Sequence, residues 1–174
     1  MTFATNLEVD NSILRGPQNR YIESEVILLE NENRGRKFGQ APETGGGWLS
    51  FTAMFGHWHI HKNGNFTIEI KSGDIASISG TFYPETCPET EIGYAVFQSF
   101  KSQSIAYNTE SRTRRYAYEN LILTTLTTSI VPDSAHSQRF AKRISALYKK
   151  TYKPLLKTKI GCSIATSSRK HFYE

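Results

Sequence analysis

The stretch Glu91–Ala106, EIGYAVFQSFKSQSIA, constrains the chain more than any other. Its first half, Glu91–Phe97, is a short apolar and β-favouring run interrupted only by Gly93, the pattern of a buried or half-buried strand. Gln98–Ser104 is then polar, small and basic, and a helix-compatible segment opens at Ile105. A strand that ends in a loop running into a helix N-terminus gathers backbone N–H groups and the positive end of the helix dipole at one place. An anionic, phosphate-bearing ligand is the natural occupant of such a junction.

Upstream, Ser12–Pro17 (SILRGP) reads as a first strand stopped by Gly16-Pro17, and Tyr21–Glu30 as a first helix with acids at Glu23, Glu25 and Glu30. Asn31–Gly47 is polar and punctuated by glycine and Pro42, the composition of a connection. Trp48, Phe51, Met54, Phe55 and Trp58 recur at helical spacing and predict an amphipathic helix whose bulky face belongs to a core. His57, His59 and His61 alternate as HWHIH and would share a face on a strand, but no carboxylate stands at close spacing, so no metal site is expected. After the Asn63-Gly64-Asn65 turn, Phe66–Lys71 and Ile75–Phe82 read as a hairpin joined at Ser72-Gly73-Asp74.

Downstream, Tyr107–Asn120 lacks Pro and Gly and reads as a helix with Arg112, Arg114 and Arg115 on a solvated face. Leu121–Val131 is apolar and β-branched, the composition of a strand, and Pro132 stops it. Asp133 or Ser134 can cap a following helix to about Leu147. In the basic tail from Tyr148, Ile160–Ala165 is the most strand-like piece. This order predicts an α/β or α+β fold built on a mixed sheet.

A chain of 174 residues, 38% hydrophobic and 12% aromatic, suits a single domain over residues 1–174 with a real core. The N-terminal sequence has no basic segment followed by an apolar one, and no apolar run is long enough to span a membrane, so a soluble, cytoplasmic protein is expected. Cys87 and Cys162 lack metal-ligand spacing and are expected as reduced thiols. Charge is uneven: residues 139–174 carry ten Lys or Arg and one acid, the rest eleven bases and fifteen acids. Such a segment attracts anionic partners, but no nucleic-acid fold motif accompanies it, and an anionic cofactor is the favoured reading over nucleic acid.

With these elements placed, the chain resembles the GNAT superfamily of acyl-CoA N-acyltransferases, and within it the group of ribosomal-protein alanine N-acetyltransferases. Ile13–Pro17 is similar to the opening LxLRxP strand, and Phe51–Trp58 with Gly64–Ile68 to the aromatic helix and first hairpin strand. EIGYAV resembles the central strand, Arg114–Leu126 the helix-to-strand passage, and Val131–Ser137 the family's Pro-Asp-Asn-x-x-Ser turn. The family's coenzyme loop, (Arg/Gln)-x-x-Gly-x-(Gly/Ala), falls on Lys101, Ser102, Gln103, Ser104, Ile105 and Ala106. Here Lys101 replaces the first residue and Ser104 the inner glycine; Ser102 stands where a further glycine is common, and Ser145 replaces the glycine that often ends the next helix. Where such a position needs a positive φ, serine costs about 1–2 kcal/mol relative to glycine.

The resemblance implies a GNAT-like fold, a central, mostly antiparallel mixed sheet flanked by helices, with acetyl-CoA as co-substrate and a primary amine, small molecule or protein N-terminus, as acceptor. Direct attack of the amine on the thioester needs a proton acceptor, an oxyanion donor and a proton source for the thiolate. By position these roles fall to Glu91, to a backbone N–H at Val96 or Phe97, and to Ser137, because the tyrosine used by many relatives would fall at Ala141. Ser134 stands in place of the family's asparagine beside the coenzyme. A second implied reading is a non-catalytic GNAT-fold module with weak or no coenzyme binding, serving in interaction or regulation; a homodimer is left open by both.

Overall fold

A computed structural model describes residues 4–30, 45–83, 89–101, 104–130, 134–152 and 161–166, the last segment and residues 148–152 as backbone only. Among these residues the strands are β1 (Leu7–Val9), β2 (Ser12–Arg15), β3 (Asn65–Ile70), β4 (Ile75–Phe82), β5 (Glu91–Val96), β6 (Thr127–Ile130), β7 (Ala146–Tyr152) and β8 (Gly161–Thr166). The α-helices are α1 (Ile22–Glu30), α2 (Gly46–His61), α3 (Ile105–Glu119) and α4 (Ala135–Arg143). The strands hydrogen-bond in the order β1-β2-β3-β4-β5-β6-β8-β7. Every registered pair is antiparallel except β5 with β6, which is parallel. The fold is thus the expected mixed, mostly antiparallel sheet with helices. The chain divides into two compact units, Met1–Gly80 with Tyr94–Arg112, and Thr81–Gly93 with Thr113–Glu174.

In the first unit the buried positions of α2 return every three or four residues, at Gly47, Phe51, Met54, His57 and Trp58, the period of a helix with one face in the core. Gly47 lets α2 approach α1, since an added Cβ there would stand 2.9 Å from the Val26 carbonyl oxygen. Leu28 and Leu29 of α1 and Met54 of α2 close over Ile78 of β4 and Ala95 of β5, with Phe97 packed alongside. Trp58 seals the other end of α2. Its ring meets Phe66 edge-on at 4.9 Å between centroids, and its indole N–H donates to the Asn65 carbonyl at 2.8 Å. Gly64 is required beneath that ring, because a Cβ would lie 2.7 Å from it. At the opposite end of the helix Trp48 is 52% exposed.

The HWHIH run lies on α2 rather than on a strand, so the three imidazoles do not share a face. His57 and His61 stack one turn apart at 4.6 Å, His57 Nδ1 meets the Asn63 carbonyl at 2.7 Å, and His59 is exposed. Glu69 of β3 accepts from Arg15 at 2.7 Å, Arg20 at 3.0 Å and the Tyr21 hydroxyl at 3.0 Å, which fastens the 3-10 turn Asn19–Tyr21 to the sheet.

In the second unit Ile92 of β5 packs with Ala117, Tyr118 and Leu126, flanked by Leu121 and Leu123. That cluster explains why, among the described residues of the expected Leu121–Val131 strand, Leu121–Leu126 are not strand and β6 begins at Thr127. Ile122 turns the chain with a φ of 56°, which lets Leu121 and Leu123 cover the end of α3 before pairing begins. The helix expected to reach Leu147 stops at Arg143, because Ser145 takes a left-handed φ of 57° and Leu147 already belongs to β7. Of the three arginines expected on a solvated face, Arg115 is exposed and Arg112 half-buried, but Arg114 is only 5% exposed. Its guanidinium donates to the Ile144 carbonyl at 2.5 Å, satisfying an acceptor at the end of α4. Cys87 lies outside the described residues, and of Cys162 only the backbone in β8 is described.

Candidate functional site

Site residues of the first unit follow one another along the chain. β5 ends where the Phe97 amide donates to the Ala76 carbonyl of β4 at 2.9 Å. The Phe97 amide, one of the two expected as oxyanion donor, is thus engaged by β4. Amides alternate in direction along a strand, so the neighbouring Val96 amide is turned to the edge of β5 away from β4. A 3-10 turn, Gln98–Phe100, then carries the chain to Lys101, which is exposed. Ser102 and Gln103 lie outside the described residues.

Ser104, exposed and with a φ of 59°, occupies the left-handed region immediately before α3. The Asn108 amide donates to its carbonyl at 3.0 Å, the first intrahelical bond, so the amides of Ile105 and Ala106 lie ahead of the helix's own ladder. The first turn of α3 contains no acid. One turn further, Glu110 is buried at 1% exposure and accepts from the Ser79 hydroxyl at 3.4 Å. Burial, with Glu110 close by, raises the Tyr94 phenol well above its usual range.

The second unit holds the remaining expected residues. Glu91 pairs with Thr127 of β6 in the single registered pair between β5 and β6, and its Oε1 accepts from the Ser129 hydroxyl at 2.5 Å. The sequence reading missed Ser129; its place one alternation beyond Thr127 on β6 was the available signal. Ser134 precedes α4 as its N-cap, but its hydroxyl caps no helix amide. It donates instead to the Ser137 hydroxyl oxygen at 2.8 Å. The two serines are thus brought together, both half-buried. Among the described residues no group of three or more His, Cys, Asp or Glu could hold a metal ion, and no helix is long and apolar enough to cross a membrane.

Residues 13–146 match the family model described as an acetyltransferase (GNAT) domain. Among curated protein sequences none matches significantly. Solved structures similar in fold include an acetyltransferase from Agrobacterium tumefaciens, with a TM-score of 0.84 at 18% identity, covering 94% of this chain and 95% of that one. A ribosomal-protein-S5-alanine acetyltransferase from Vibrio fischeri aligns with a TM-score of 0.72 at 12% identity over 95% and 98%. A spermidine N-acetyltransferase from Vibrio cholerae, solved with CoA and spermine, aligns with a TM-score of 0.73 at 11% identity over 89% and 93%.

Proposed function

The chain belongs to the GNAT acetyltransferase family, and from that premise we propose that it transfers an acetyl group from acetyl-CoA to a primary amine by direct attack. The observation that carries this reading is Ser104. At a φ of 59° its backbone follows the left-handed path that glycine ordinarily supplies in the coenzyme loop, so the path is kept although the glycine is not. The donors around it suit a pyrophosphate: the Ile105 and Ala106 amides, the Ser104 hydroxyl, the exposed Lys101 and an acid-free first turn. Ser102 and Gln103 belong to the same proposed loop.

Acetyl-CoA, when bound, supplies a thioester carbonyl as the electrophile. Val96 offers its amide, directed away from β4, to the developing oxyanion. Glu91 accepts the amine proton, directly or through water, while Ser129 fixes one of its oxygens. With the Ser134 proton directed at its oxygen, Ser137 has its own proton turned elsewhere, the orientation a donor to a departing thiolate needs. Polyamines and protein N-termini are the acceptor classes that fit this chemistry, the first by analogy with the spermine held by the Vibrio cholerae enzyme.

Titration calorimetry with acetyl-CoA tests the reading. Saturable binding is expected, and Ser104→Gly should tighten it about tenfold, about 1.4 kcal/mol, if the side chain obstructs close approach of the phosphate. Absence of both heat and a thermal shift at millimolar coenzyme overturns it. The second reading, a non-catalytic module, holds if the Ser104 Cβ keeps a phosphate from the loop amides instead of its hydroxyl donating to it. Thiol release in the presence of spermine or peptides with N-terminal alanine or serine separates the two: binding without turnover supports the module.

A further inference from the structure

Glu25 lies on the buried face of α1 at 0% exposure. One of its carboxyl oxygens, Oε1, accepts from the Thr67 hydroxyl of β3, and the other, Oε2, has no hydrogen-bond partner among the described residues. An ionised carboxylate held this way keeps half of its charge unsolvated, whereas the neutral acid does not. Leu28 and Leu29, three and four residues on, share the face of Glu25 and pack with Ile78, Ala95 and Phe97 over the end of β5. What seats Glu25 therefore also seats the helix on that strand end.

We propose that Glu25 is a proton-operated latch: protonated, it holds α1 down on β3 and β5, and on ionisation it lets α1 lift, taking Leu28 and Leu29 with it. The proposal stands on the packing of the first unit alone and needs no coenzyme. Burial raises the Glu25 carboxyl from 4.5 to about 7, with only the Thr67 hydroxyl opposing it.

Ionisable groups on the neighbouring elements are engaged elsewhere. His57 of α2 meets the Asn63 carbonyl, His59 and His61 are exposed, Arg20 and Tyr21 of the 3-10 turn hold Glu69 of β3 together with Arg15 of β2, and Tyr94 of β5 is set against Glu110. On α1 itself Glu23 is exposed and Glu30 half-buried.

The direction follows from linkage. The lifted state has an ordinary carboxyl and the seated state a raised one, so lifting releases one proton between about 4.5 and 7. The latch is tight below that interval and released above it.

Hydrogen exchange on the full chain, read by mass spectrometry on peptides covering α1 and corrected for intrinsic rates, measures this lifting between pH 5 and 8.5. Protection of α1 should fall about tenfold per pH unit up to about 7 and then level off, while peptides of β3 and β4 serve as the internal reference. Glu25→Gln should abolish the slope. A flat wild-type profile, or the same slope in Glu25→Gln, overturns the proposal. Should that variant fail to fold, carbon-detected titration of the wild-type Glu25 carboxyl decides: a midpoint near 4.5 overturns the latch, and one near 7 supports it.

Discussion

Two serines set the backbone at the ends of helices. Ser104 before α3 and Ser145 after α4 have φ values of 59° and 57°, where a Cβ is strained. Glycine relieves that strain, while its freer unfolded chain returns part of the gain. Ser104→Gly and Ser145→Gly should each stabilise the fold by about 0.5–1 kcal/mol, a rise of about 2 °C in Tm by calorimetry for a chain of this size. Both positions were legible as sites where glycine is usual, but their angles were not, because the side chains give no hint of backbone sign. Thr67 makes a second prediction. Its hydroxyl is the one influence that lowers the Glu25 carboxyl. Thr67→Val should therefore move the Glu25 midpoint above about 7, and with it the upper end of the pH range in which stability is lost, as carboxyl titration by NMR would register.

Helix α2 is held against α1 by backbone proximity at Gly47 as much as by its aromatic face. Gly47→Val would press a branched side chain against the Val26 carbonyl and the Glu30 methylenes, costing about 1–3 kcal/mol, measurable as a lower urea midpoint. Elements with strong period were legible in the sequence: α2 from its aromatic spacing, the β3–β4 hairpin from its turn, and β5 from its apolar run. Those missed had weak or misleading local signals. β1 is three residues long, and β7, ALYKKTY, has a composition that a helix accepts equally well; its pairing with β8 decides. Leu121–Leu126 carries strand-like residues whose burial against Ala117 and Tyr118 outweighs that preference. Arg114 was misjudged for a related reason: its partner, the Ile144 carbonyl, lies thirty residues away and no local pattern announces it.

Coenzyme binding, if it occurs as proposed, acts on the stability of the whole chain by mass action. Acetyl-CoA at one hundred times its Kd should stabilise the native state by about 2.7 kcal/mol. For a chain of this length that corresponds to a Tm higher by about 5–10 °C in differential scanning calorimetry. No shift at that saturation would mean that the ligand binds the unfolded chain as well as the native one. The position of Glu91, Ser134 and Ser137 was legible because a family pattern runs through them. Their hydrogen bonds to Ser129 and to each other were not, because these depend on strand pairing and on how α4 begins. The chain's two tryptophans, finally, stand at opposite ends of α2, Trp48 open to solvent and Trp58 sealed between Phe66 and Gly64. Their fluorescence should divide accordingly, into a red-shifted component that acrylamide quenches and a blue-shifted one that it does not reach. The helix thus carries an optical gauge at each end, and the start of α2 can be watched separately from its anchored finish without attaching a dye.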